Sequence, residues 1–134
     1  MDLTTTPTGD GGAEVTLRLT PAESEMLGDD TAALLALLAR GLWAAVDIRR
    51  GDPRDEWWPV VMDTSRLISA LSGIRDAALR EADPQTMSHA DIARWTGETR
   101  TTIASRRQRG ALPPAEPSAW ETWARTGLTP PDQT

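Results

Sequence analysis

Between Met87 and Gly110 the chain reads MSHADIARWTGETRTTIASRRQRG, and its punctuation narrows the local structure sharply. Ser88 can accept from the first turn of a helix, and Asp91 can answer it three residues on. That is a capping box set just ahead of the apolar Ile92 and Ala93. Gly97 can take the positive φ of a tight exit, and Thr99 caps a second helix anchored by Ile103. Ala93 is small where the second helix must cross closely. Two short helices joined at Gly97 are the expectation, with Arg100, Thr101, Ala104, Ser105 and Gln108 on or near the outer face of the second.

Charge decides whether such a face could meet a polyanion. The formal net charge is −6, and an acidic surface repels phosphate unless its positive charge is segregated. Between Ser88 and Gly110 five arginines (Arg94, Arg100, Arg106, Arg107, Arg109) stand against Asp91 and Glu98, a local net of +3 that leaves −9 on the rest. Every basic residue is arginine, which together with the abundant alanine fits a GC-rich coding bias.

Composition excludes more than it selects. The 134 residues suffice for one compact domain or two small ones sharing a core. With no cysteine and one histidine, disulfides and thiolate zinc are excluded and most transition-metal sites lose their usual ligands. No Ser-His-Asp set or nucleotide loop is visible, so neither an enzyme, a cofactor nor a metal site is expected. The lone His89, in the first turn of its helix, is read as exposed. The N-terminus has no cationic, apolar signal, and Arg40 interrupts the most apolar run, Ala32 to Ala39. The expectation is a cytoplasmic protein with no membrane partner.

Residues 1–12 show no periodic apolar face and read as a disordered tail. From Glu14 to Thr20, Val15, Leu17 and Leu19 alternate with Thr16, Arg18 and Thr20, as in a half-buried strand. Thr20, Pro21 and Glu23 supply a cap, a first-position proline and an N3 glutamate for a short helix, which Gly28-Asp29-Asp30 interrupts. A longer helix from Thr31 to Val46 is apolar on more than one side, so it is either the central core helix or buries a face in a second copy. Arg50-Gly51-Asp52-Pro53 predicts a hairpin or extended loop between residues 47 and 63, with Pro59 at an edge and Asp52, Asp55 and Glu56 on a solvated turn. Asp63 or Thr64 then caps a helix to Ala82, stopped by Asp83-Pro84, that buries Leu67, Leu71, Ile74 and Ala78. After a sharp turn at residues 111–114, Ser118 and Glu121 form a further capping box. A short helix to Thr126 follows, with Gly127 at its end and Trp120 and Trp123 facing the core.

Residues Leu67 to Gly110 resemble the trihelical helix-turn-helix of small bacterial DNA-binding regulators. In that family an amphipathic helix precedes Ser-x-x-(Asp/Glu)-Ile-Ala-x-x-x-Gly-x-Ser/Thr-Arg-x-Thr-Val/Ile. The match is carried by Ser88, Asp91, Ile92, Ala93, Gly97, Thr99, Arg100, Thr102 and Ile103. The stretch Arg109 to Pro113 is similar to the turn after the recognition helix in excisionase-like and winged regulators. The resemblance covers about a third of the chain. It implies a helix-turn-helix unit, and with the periodicity above the expected fold is mainly α: a helix-turn-helix region at 63–127, an N-terminal strand-plus-helices region at 13–62 whose apolar helix makes it the candidate for dimerisation, and a flexible tail at 128–134.

The function implied is that of a homodimeric transcriptional regulator reading double-stranded DNA through the major groove with helix 99–109. By the same resemblance Arg100, Thr101, Ser105 and Gln108 are the base-reading candidates, with Thr99, Arg107 and Arg109 for phosphate. Two positions depart from the pattern. The residue after the turn glycine is Glu98, and the one three beyond Ile103 is Arg106, where apolar residues are expected; Trp95 could pack over the gap. An adaptor module with a degenerate helix pair that does not bind DNA is the alternative. A third order of elements, strand then two helices, also fits a ribbon-helix-helix dimer, in which Thr16, Arg18 and Thr20 would face the bases.

Overall fold

The structure, a computed structural model, describes residues 1–28, 30–52, 56–82, 87–113 and 116–127. Asp29, Pro53 to Asp55, Asp83-Pro84, Pro114 and the 128–134 tail lie outside the described residues, so the expectations placed on them are not addressed. Among the described residues the chain is mainly helical, with six helices and one two-stranded sheet. It divides into a unit of residues 1–36 and a unit of residues 37–134.

In the first unit, residues 1–12 do not form the expected disordered tail. Strand β1 (Asp2–Pro7) pairs antiparallel with β2 (Ala13–Arg18), in register from Asp2 opposite Arg18 to Pro7 opposite Ala13. Thr8 to Gly12 closes the hairpin, with Gly11 at φ +84°. The hairpin escapes a reading of alternation because β1 is exposed throughout. Nor is β2 half-buried as expected: Val15 is 62% exposed and only Leu17 is partly covered. Since β2 takes its partner from its own chain, the paired strands of a ribbon-helix-helix are not required. Helix α1 (Pro21–Leu27) begins with the expected box, Glu23 N–H donating to the Thr20 hydroxyl while Thr20 N–H donates to the Glu23 carboxylate at 2.8 Å.

Helix α2 (Asp30–Arg50) crosses the boundary between the units and runs past the expected end at Val46. It stops at Gly51, whose φ of +70° lets its N–H return to the Asp47 carbonyl at 3.0 Å. By length and composition α2 would suffice to cross a bilayer, with hydropathy 1.6 over its most apolar window, and Arg40 does not break that window.

Helix α3 (Trp57–Glu81) starts seven residues or so before the expected cap, so the hairpin at 47–63 does not form. Pro59 is its third residue, where the backbone nitrogen has no intrahelical acceptor to lose, and proline is tolerated there as readily as at an edge. Thr64 is no cap; its hydroxyl donates to the carbonyls of Val60 and Val61 at 2.9 Å. Helices α2 and α3 meet where Gly41 lies against Leu67 and Arg40 reaches Asp63 at 3.7 Å.

The other flank of α3 packs on α6 (Ala119–Thr126). The buried positions are Ala70, Gly73 and Ala77, while Leu71 and Ala78 of the expected stripe are exposed and Leu67 and Ile74 are partly covered. Bulk explains the rotation. Trp120 and Trp123 occupy the interface, edge to face at 5.6 Å, and a small-residue face is what lets α3 approach them. A β-carbon at Gly73 would stand 2.4 Å from Trp120 Cβ and 2.8 Å from the Glu121 nitrogen.

The contact is also ionic. Glu121, fully buried, receives both Nε and Nη2 of Arg80, the latter at 3.2 Å, and Arg125 Nε reaches Glu81 at 2.6 Å. Glu121 therefore does not complete a capping box at Ser118, although its N–H does donate to the Ser118 hydroxyl at 3.1 Å. The Leu112–Pro113 peptide bond within the preceding turn is cis.

Candidate nucleic-acid interface

Helix α4 (His89–Thr96) starts at Ser88, whose hydroxyl accepts from Asp91 N–H at 3.1 Å and donates to the Asp91 carboxylate at 2.6 Å. That donated bond, with help from the Ser88 backbone N–H and then Arg94, holds the Asp91 carboxyl below the usual aspartate range against the opposing effect of desolvation. His89 is partly covered. Gly97 ends the helix at φ +75°, its N–H returning to the Ala93 carbonyl at 3.0 Å. Thr99 then caps α5 (Arg100–Gln108) by accepting from Thr102 N–H at 3.1 Å. Ile92 and Ile103 are both buried, and α4 and α5 pack on each other. The Ser88 and Thr99 caps, the Gly97 turn and the Ile92 and Ile103 anchors follow the reading of the residues, whereas His89 is less exposed than expected.

The face of α5 turned from Ile103 carries Thr101, Ser105 and Gln108 at i, i+4 and i+7, one stripe along the helix. Thr101 and Gln108 are exposed and Ser105 is partly covered, with Arg100 exposed beside them at the N-terminal end. The four base-reading candidates thus lie on one side of one short helix.

The phosphate candidates fare unequally. Thr99 is exposed, its hydroxyl engaged by the cap and by Thr102 at 2.8 Å. Arg109 is exposed at the C-terminal end, Nε donating to the Ser105 carbonyl at 3.3 Å. Arg107 is half-buried and donates from Nη1 to the Met87 carbonyl at 3.2 Å, tying α5 to the entry of α4. Nothing in the spacing of the chain announced that tie.

The two departures from the helix-turn-helix pattern answer each other. Arg106 Nη1 donates to both carboxylate oxygens of Glu98, at 2.7 and 2.9 Å. The gap is closed by this ion pair and not by Trp95, which stands 63% exposed. Asp91 lies 3.9 Å from Arg94, and Arg100 and Arg109 are further exposed arginines of the segment.

Among the described residues no group of three His, Cys, Asp or Glu side chains is placed to hold a metal ion. A small open cavity lies between α2 and α3, lined by Arg40, Trp43, Asp47, Glu56, Val60 and Asp63, and shares no residue with the α4–α5 face. Comparison with known proteins finds no matching family model, no similar curated protein and no similar solved structure.

Proposed function

We propose that this protein is a sequence-specific DNA-binding regulator that reads the major groove with α5 and acts as a homodimer in the cytoplasm, on the nucleoid. The observation that carries the reading is the set of exposed Arg100, Thr101 and Gln108 and partly covered Ser105 on a helix capped at Thr99 and held by Ile103 against α4. Arginine and glutamine can each make bidentate contacts to a purine edge, while threonine and serine discriminate less. Arg109 follows the set at the C-terminal end, and with Thr99 and Arg107 it is the candidate contact to the phosphate backbone. The acidic remainder weakens sequence-independent attraction, so affinity leans on this small contact area.

An anisotropy titration on a selected duplex tests the reading. Binding should weaken steeply with salt, and Arg100→Ala should reduce discrimination against a mismatched site by about 1–3 kcal/mol while leaving the circular dichroism unchanged. Unchanged discrimination in a folded variant would overturn it. One observation favours a second reading, an adaptor that does not touch DNA: the exposed Trp95 is an aromatic of the kind that anchors protein contacts. That reading requires no salt-dependent affinity for any duplex.

A further inference from the structure

Helix α3 has three faces, and two of them are occupied. Leu67 faces Gly41 of α2, and Ala70, Gly73 and Ala77 are buried on the α6 flank. The third carries Trp57, Val61, Thr64, Ile68 and Leu71, spaced by four, three, four and three residues, the heptad rhythm that keeps a seam on one side of a helix. Its four large apolar side chains are 46–64% exposed.

From this surface we infer that α3 pairs antiparallel with α3 of a second copy, across a two-fold axis at the level of Thr64. The inference rests on the dimeric part of the function proposed above and not on DNA binding. The seam is self-complementary about its middle. Trp57 lies as far before Thr64 as Leu71 lies after it, and Val61 and Ile68 flank it at nearly equal distances. An isologous pairing therefore sets Trp57 against Leu71 of the second copy and Val61 against its Ile68.

The middle is built for close approach. Thr64 and the adjacent Ser65 are small, and both hydroxyls already donate within their own helix: Thr64 to the Val60 and Val61 carbonyls, and Ser65 to Val61 at 2.7 Å. Burying them leaves no donor without an acceptor. Charge selects the direction. Arg75, which also donates to its neighbour Asp76 at 3.1 Å, stands at one end of the seam and Glu56 at the other. Antiparallel copies bring Arg75 of each within about one helical turn of the other's Glu56, whereas parallel copies stack like charges.

The chain has no cysteine, so single substitutions report pairing cleanly. In full-length protein under mild oxidation, Thr64→Cys should form a disulfide-linked dimer with its own copy, and a mixture of Val61→Cys and Ile68→Cys should cross-link to each other. Leu71→Cys alone should stay monomeric on a non-reducing gel, because the two copies lie some 20 Å apart along the seam at about 1.5 Å per residue. In sedimentation, the wild type should be a dimer and Ile68→Glu should weaken dimerisation by about 100-fold or more at unchanged helicity.

Self-cross-linking of Leu71→Cys as strong as that of Thr64→Cys would show parallel pairing and overturn the inference. So would a wild type that is monomeric at all concentrations, whether it stays in solution or floats with lipid vesicles. Cross-linking as expected in a protein that binds no selected duplex would leave the pairing standing and remove the DNA reading. Duplex binding by a protein that fails to cross-link would do the reverse.

Discussion

Arg106 reaches back across the turn between α4 and α5 and donates to both carboxylate oxygens of Glu98. The pair stands at the two positions where the helix-turn-helix pattern calls for apolar residues, so a polar clasp replaces part of the usual packing. Its side chains are 29% and 36% exposed, which puts its strength in the surface range. A double-mutant cycle with Arg106→Ala and Glu98→Ala, read by urea unfolding, should give a coupling of about 0.5–1 kcal/mol that shrinks with added salt. The paired replacement Glu98→Val with Arg106→Leu should leave stability within about 1 kcal/mol of the parent, since it restores an apolar anchor.

The Arg80–Glu121 pair should behave differently, because Glu121 is wholly buried. Arg80→Ala strands that carboxylate and should cost about 3–5 kcal/mol in chemical unfolding. Adding Glu121→Leu to Arg80→Met should recover much of the loss, because the partner charge goes as well. Equal losses in the single and double variants would show that packing and not charge holds the α3–α6 contact.

Gly73→Ala isolates the packing of that same contact. The added methyl would meet Trp120 Cβ at 2.4 Å and two backbone atoms of α6 within 2.9 Å, none of them a flexible side-chain tip. Helix propensity favours alanine, but the clash should dominate and lower stability by about 1–3 kcal/mol. A thermal midpoint unchanged or raised would contradict the close crossing.

Asp91 supplies a pH test at the entry to α4. Its carboxyl is held low chiefly by the Ser88 hydroxyl, then by the Ser88 backbone N–H and last by Arg94. A carboxyl depressed by folding adds stability above its unfolded value and loses it as pH falls through the folded one. Amide protection in α4 should accordingly persist below the ordinary aspartate range and fade as Asp91 protonates. Ser88→Ala should move the Asp91 carboxyl titration, followed by NMR, back upward and narrow that window.

What the residues announced were the locally capped helix ends, though neither the end of α2 nor the start of α3. Thr20, Ser88, Thr99 and Ser118 all cap, and Gly97 and Gly127 both turn left-handed, because a cap and its hydrogen-bond partner lie within four residues. Contacts between distant residues were not legible. Glu121 looked like half of a capping box, yet its partner is Arg80, 41 positions away. The hairpin at Asp2–Arg18 was hidden because exposed strands need no alternation, and Pro59 misled because a proline in a first helical turn resembles one at a strand edge. At the candidate interface, the outer face of α5 followed from the position of Ile103. The commitment of Arg107 to Met87 and of Arg106 to Glu98 depended on how the turn folds back.

The most direct measurement is a selection of bound duplexes from a random pool with the full-length protein. The expected result is an enriched inverted repeat with half-sites about one helical turn apart, 34–36 Å along the axis, lost when Arg100 is replaced by alanine. A pool that remains random after repeated rounds at low salt, with the protein folded throughout, would contradict DNA recognition by α5.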